Sequence, residues 1–165
     1  MKKLILILLG LFAILGCNSS NEDDHNIKVY FDQETYNQQK LMWKQQNVQN
    51  YKFTIESMSS SEGPIEEEIT VLNGEVVYDE DRSYNLTIDD IYDQIKSMYD
   101  YDVEQSKKDP LDPFYKIIDA IYHSVKYDKK YPIPISFGRT YDFNTHEIPV
   151  GFGKTTEIKN FIILD

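Results

Sequence analysis

The chain has 165 residues, 28 acidic against 17 basic, for a formal net charge of −11 and a single cysteine. This balance disfavours a nucleic-acid role, which needs a basic surface to meet phosphate. One thiol excludes an internal disulfide framework, and the length suits one domain with a real core.

In chain order, Met1-Lys2-Lys3 is a short basic start, residues 4–15 are apolar but for one glycine, and Ile14-Leu15-Gly16-Cys17 closes the run. The apolar run is shorter than the roughly 20 residues that a spanning helix needs, and the continuation is highly polar. Residues 1–16 therefore read as a cleaved bacterial lipoprotein signal, with Cys17 as the lipidated first residue. Two of the 17 basic residues lie in that leader, so the mature chain carries 15 basic and 28 acidic residues, a net −13. Residues 18–26, Asn-Ser-Ser-Asn-Glu-Asp-Asp-His-Asn, contain nothing to bury and read as a flexible tether. As a coil it would span about 15–18 Å. Asn18 is not the aspartate of an inner-membrane retention signal, and Glu22-Asp23-Asp24 is similar to surface-export signals, so the outer membrane is favoured over the inner.

Residues 27–165 read as a single domain. Asp32 to Thr35 offer a helix cap, and Tyr36, Lys40 and Trp43 recur at helical spacing up to about Asn47. Residues 51–56 alternate as a half-buried strand. Asn73-Gly74 is a hairpin turn between residues 65–72 and 75–79, pairing Leu72 with Glu75 and Val71 with Val76, with Ile69, Val71, Val76 and Tyr78 on one apolar face. Thr87 caps a helix whose Ile88, Ile91, Tyr92, Ile95, Met98 and Tyr99 form one stripe. Asp112 and Pro113 suit a third helix start, with Phe114, Ile117, Ile118 and Ile121 at helical period. Residues 123–128 and 131–137 then read as strands, with Pro132 and Pro134 fitting a sheet edge, and residues 157–164 as a final apolar strand. The expected fold is α+β, an antiparallel sheet of about five or six strands with two or three helices packed on one face.

Trp43 before Asn50-Tyr51-Lys52-Phe53, the Asn73-Gly74 hairpin, Thr87 to Tyr92, Tyr127-Asp128 with Tyr131 and Pro134, and Ile158 with Asn160-Phe161 together resemble an uncharacterised bacterial lipoprotein family, a domain of unknown function. The likeness runs from about residue 41 to 164 as short anchors, departing where Tyr131-Pro132-Ile133-Pro134 replaces the family's usual Gly-Tyr-Pro and in a longer connection between residues 101 and 115. It implies a helix-plus-sheet lipoprotein and no activity.

Catalytic and metal motifs are weak. Residues 151–156 imitate the end of a phosphate-binding loop, but Ile148 stands where its first glycine belongs and a strand follows. Residues 79–90 place oxygen ligands at alternate positions, yet Tyr84 replaces the calcium loop's glycine and the terminal glutamate is missing. His25, His123 and His146 have no metal-ligand spacing. The reading is a non-enzymatic, membrane-anchored envelope lipoprotein without metal or cofactor. It would bind an envelope protein partner, with Tyr99, Tyr101, Tyr127, Tyr131 and Tyr141 as candidate contact residues, since tyrosine joins a large contact area to a polar tip. The competing reading, drawn from the acidity, is a lipid-anchored inhibitor of a cationic envelope enzyme, lysozyme-type or protease.

Overall fold

A computed structural model describes residues 26–59, 63–81, 83–107, 113–145 and 155–165. The signal, Cys17, the tether up to His25, Asp112, His146 and residues 151–154 of the phosphate-loop imitation lie outside the described residues. Ten elements are described: β1 (Lys28–Tyr30), α1 (Gln33–Gln46), β2 (Tyr51–Ser59), β3 (Gly63–Leu72), β4 (Glu75–Val76), α2 (Ile88–Gln105), a 3-10 turn (Tyr115–Ile117), β5 (Ile118–Tyr127), β6 (Pro134–Phe143) and β7 (Thr155–Ile163). The strands form one seven-stranded sheet in the order β1-β5-β6-β7-β2-β3-β4. The fold is α+β, but the sheet is mixed, because β1 runs parallel to β5 while every other pairing is antiparallel.

Both helices cover one face of the sheet. Asp32 accepts the Thr35 N–H and starts α1; Asn47, at φ 49°, ends it in the left-handed conformation. Thr87 and Asp90 exchange side-chain and backbone hydrogen bonds in a capping box at the start of α2. Tyr36 and Trp43 of α1 meet Ile88, Ile91, Tyr92 and Ile95 of α2 over Phe53, Ile55, Ile69, Val71 and Ile158, all buried. Among the described residues the opposite face has no second layer, and its residues alternate out as an antiparallel sheet with one wet side requires: Glu66 and Glu68 on β3, Tyr122 and Ser124 on β5, Glu157 and Lys159 on β7 are all exposed. Glu66 and Glu68 also charge the β3 edge, which β4 covers only at Val71 and Leu72.

Three expectations are corrected. The sheet has seven strands because the three-residue β1 adds an edge to the six expected, of which β4 is one. The third helix is absent: the 3-10 turn runs straight into β5. Ile118 pairs with Phe143 and Ala120 with Asp142, so Asp119 is an extra residue in a bulge, which returns Ile118 and Ile121 to the same face. A bulged strand thus imitates the three-residue spacing of a helix. Finally, Tyr78 is 74 % exposed and lies beyond the end of β4, outside the expected apolar face.

The hairpin forms in the expected register, Val71 with Val76 and Leu72 with Glu75, with Asn73 at φ 54° and Gly74 at φ 80°. The Gln49 carbonyl accepts the Gly74 N–H at 2.8 Å, and a Cβ on Gly74 would stand 2.7 Å from Gln49 Oε1. Gly74→Val should therefore destabilise the fold by about 1–3 kcal/mol through the positive φ, the Gln49 side chain being able to swing aside. Chemical denaturation checks this, and an unchanged midpoint would contradict the turn geometry.

Candidate functional site

Two features stand out beyond ordinary core packing. The first is a buried ionic cluster at the C-terminal end of α2. Asp102 continues the apolar stripe of that helix and is fully buried. His123 on β5 and Arg139 on β6 are direct cross-strand partners, so both side chains rise from the sheet towards Asp102. Arg139 Nη1 donates to both carboxylate oxygens at 3.0 Å, and the Tyr115 hydroxyl donates to Oδ1 at 3.2 Å. His123 Nε2 lies 2.9 Å from Oδ2 without forming a well-aligned hydrogen bond to it, a contact that becomes an ion pair when the ring is protonated. Phe31 and Tyr99 close on the imidazole, their ring centroids 6.0 and 5.7 Å from it.

Burial alone would push the Asp102 carboxyl up; the His123 contact and the Arg139 guanidinium outweigh it and hold the group below its ordinary value. The Tyr115 hydroxyl moves up through burial and the adjacent carboxylate. A carboxylate whose neighbours are all donors, with no exposure of its own, has nowhere to receive a substrate. What the arrangement does chemically is fix α2 to the β5–β6 pair.

The second feature is a groove of about 490 Å³ where β6 and β7 diverge, lined by residues from 128–135 and 158–163. β7 pairs with β2 from Thr155 to Ile163 but with β6 only from Thr155 to Glu157. The cause lies in Tyr131-Pro132-Ile133-Pro134. Two prolines remove two N–H donors, so this stretch cannot extend the ladder alongside β7. Tyr92 fixes its course instead, donating its hydroxyl to the Pro132 carbonyl at 2.9 Å. Opposite Phe53, β7 carries both Asn160 and Phe161, a bulge with Asn160 at φ 52°. Ile133 and Ile158 are buried in the floor, Tyr131 packs on Phe161 at 5.1 Å, and Ile162 and Ile163 are 49 % and 40 % exposed at the rim. Among the described residues no backbone hydrogen bond joins 159–163 to 128–133.

The five candidate tyrosines do not share one surface. Tyr131 lines the groove. Tyr99 and Tyr141 flank the ionic cluster, Tyr141 beneath the Arg139 guanidinium at 5.7 Å. Tyr127 stacks on Tyr92 inside the core, its hydroxyl buried without a hydrogen-bond partner among the described residues. Tyr101 is 51 % exposed on α2. Among the described residues no three histidine, cysteine, aspartate or glutamate side chains converge as a metal site requires.

Sequence reasoning missed the ionic cluster, although two signals were present. Asp102 falls where the stripe of α2 calls for an apolar residue, and Arg139 is one of only two arginines among 17 basic residues. No known family model, curated protein or solved structure matches the chain.

Removing one member of a buried pair strands its partner, so Arg139→Ala should cost about 3 kcal/mol, while replacing Asp102, His123 and Arg139 together by Leu, Phe and Met should restore most of it. Because the folded-state Asp102 carboxyl lies below its unfolded value, its contribution is fully present above about pH 4 and is lost as pH falls further. Urea midpoints between pH 3 and 6 on the parent and Asp102→Asn should show that acid-side loss in the parent and a shallower one in the variant.

Proposed function

We propose that this protein is a lipid-anchored lipoprotein of the bacterial cell envelope, held by Cys17, that acts as a non-enzymatic binding or accessory module. The groove between β6 and β7 carries the reading: it joins an apolar floor to a stretch of strand backbone with no second partner among the described residues, which suits holding a protein segment better than activating a reactant. The leader pattern ending at Cys17 supports the location. Among the described residues no helix is long and apolar enough to cross a membrane, so on this reading the acyl chains supply the attachment. The likeness to an uncharacterised lipoprotein family belongs to the same proposal.

The acidic excess favours one further reading, a lipid-anchored inhibitor of a cationic envelope enzyme. Glu66 and Glu68 stand on the open sheet face and give such a partner something to meet.

Mass spectrometry of the mature protein should find acyl chains on Cys17, and Cys17→Ser should leave the precursor uncleaved or release the product from membranes. An unmodified soluble product beginning elsewhere would overturn the anchor. Chemical crosslinking in intact envelopes should give a discrete partner adduct, and its absence would remove the binding reading. For the inhibitor reading, association with lysozyme should slow by about tenfold or more between roughly 20 and 150 mM salt while dissociation changes little. No salt-sensitive association with any basic protein would dismiss it.

A further inference from the structure

We infer that the β6–β7 groove is a strand-addition site, taking an extended segment of a partner protein that pairs with β7 at residues 159–163, sets apolar side chains on the groove floor and presents a carboxylate to Lys130. The inference rests on the binding reading above and gives it a place and a ligand chemistry.

The first ground is the backbone. A strand with a single neighbour presents alternate N–H and C=O groups on its free side, and another extended chain is what matches such a row. From Lys159 to Ile163, β2 is the one strand beside β7 among the described residues. Five residues at about 3.3 Å each give a free edge of roughly 16 Å, enough to pair with a segment of four or five residues. The edge is also protected from aimless pairing: the Asn160 bulge twists it, and Asn160 Nδ2 ties it to Thr54 Oγ1 at 3.3 Å. Only a segment that follows the twist gains the full set of hydrogen bonds.

The second ground is the floor. Ile133, Ile135, Ile158 and Phe161 line the slot between the two strands, and its roughly 490 Å³ lies within the usual range of ligand pockets, about 300–1,000 Å³. Side chains on one face of a paired strand point the same way at every second position, so the partner should carry apolar residues in alternation.

The third ground is charge. Lys159 is held by Glu56 at 2.5 Å and Glu157 at 3.3 Å, and the Asp128 carboxylate accepts the backbone N–H groups of Lys130 and Tyr131. Lys130 stands beside them at the groove mouth, bonded to the Tyr131 hydroxyl and drawn to Asp128. Its ammonium lies 4.6 Å from the Tyr131 ring centroid and, among the described residues, has no carboxylate at ion-pair distance, with Lys129 exposed beside it. Two lysines against the one Asp128 carboxylate, itself engaged by backbone N–H groups, leave the groove mouth net positive in an acidic chain and select a segment bearing an acidic group.

The test uses the full chain in detergent and, as probe, a capped heptapeptide alternating threonine and valine and ending in glutamate. Hydrogen exchange read by mass spectrometry should show amides within 159–163 slowed by about tenfold or more at saturating peptide. Methylating alternate peptide nitrogens should abolish that protection, because the ladder can no longer form. Lys130→Glu, at an exposed position, should weaken binding about five- to tenfold at low salt and less at physiological salt. Protection at β1 or β3 with none at 159–163 would overturn the groove while leaving a binding module. Absence of peptide protection anywhere would also overturn it, and the envelope crosslinking experiment then shows separately whether the binding reading survives. Undiminished protection with the methylated peptide would overturn strand addition itself.

Discussion

A carboxylate taken out of water must be met by charge and by hydrogen-bond donors, or it costs more than the fold can supply. Asp102 is in that position, and meeting it constrains elements far apart in the chain. It needs Arg139 and His123 at one cross-strand pair, which fixes the register of β5 against β6, and Tyr115, which fixes the turn leading into β5. The other end of the same helix is held as firmly. Tyr51 at the start of β2 receives the Ile88 N–H on its hydroxyl oxygen, and Trp43 of α1 donates to Asp89 at 3.1 Å. Between them the Tyr92 hydroxyl holds Pro132. α2 is therefore attached to both halves of the sheet, and the groove is shaped by one of those attachments: the bond that keeps Pro132 against the helix keeps its segment off the β7 edge.

The two polar features divide the labour of structure and recognition. The cluster at Asp102 is closed and its carboxylate is met by donors, though His123 Nε2 makes no well-formed hydrogen bond among the described residues, so the cluster's energy goes into specifying one arrangement of helix and strands. The groove is open, and its unsatisfied groups are backbone groups at a place where water reaches them. Tyrosines serve both kinds of site. Burial raises the hydroxyl of Tyr51 to about 12, where it accepts the first helical N–H of α2, whereas Tyr131 spends its ring on the wall of the groove. A residue type counted in the sequence divides in space according to which end of the side chain is wet.

Much of the frame was legible in the chain because it depends on local chemistry. The Thr87 cap, the stripe from Ile88 to Ile95 and the Asn73-Gly74 turn are decided by neighbours within a few residues, and they form as their patterns indicate. β5 was not legible, because a bulge at Asp119 changes the spacing of its inward residues and only the partner strand reveals it. β1 was missed because three residues in parallel pairing carry almost no periodicity. Pro132 and Pro134 were read as fitting a sheet edge, but β6, which begins at Pro134, lies between β5 and β7, and its residues before Ser136 lack a β7 partner among the described residues. What they leave open on β7 is a fact about two segments more than twenty residues apart. The Asp102 cluster escaped for the same reason: each member is ordinary alone, and only the fold brings them together.

Strand order carries a consequence for how the molecule is made. The last strand in the chain, β7, is the middle strand of the sheet, and it alone joins the β1-β5-β6 half to the β2-β3-β4 half. Neither half can be zipped to the other until residues 155–163 have emerged, and the pairing that closes the sheet, Tyr51 with Ile163, spans most of the domain. Such long-range closure is slow. Until residues 155–163 are in place the two halves share no strand pairing among the described residues, so the sheet closes as one late, long-range event.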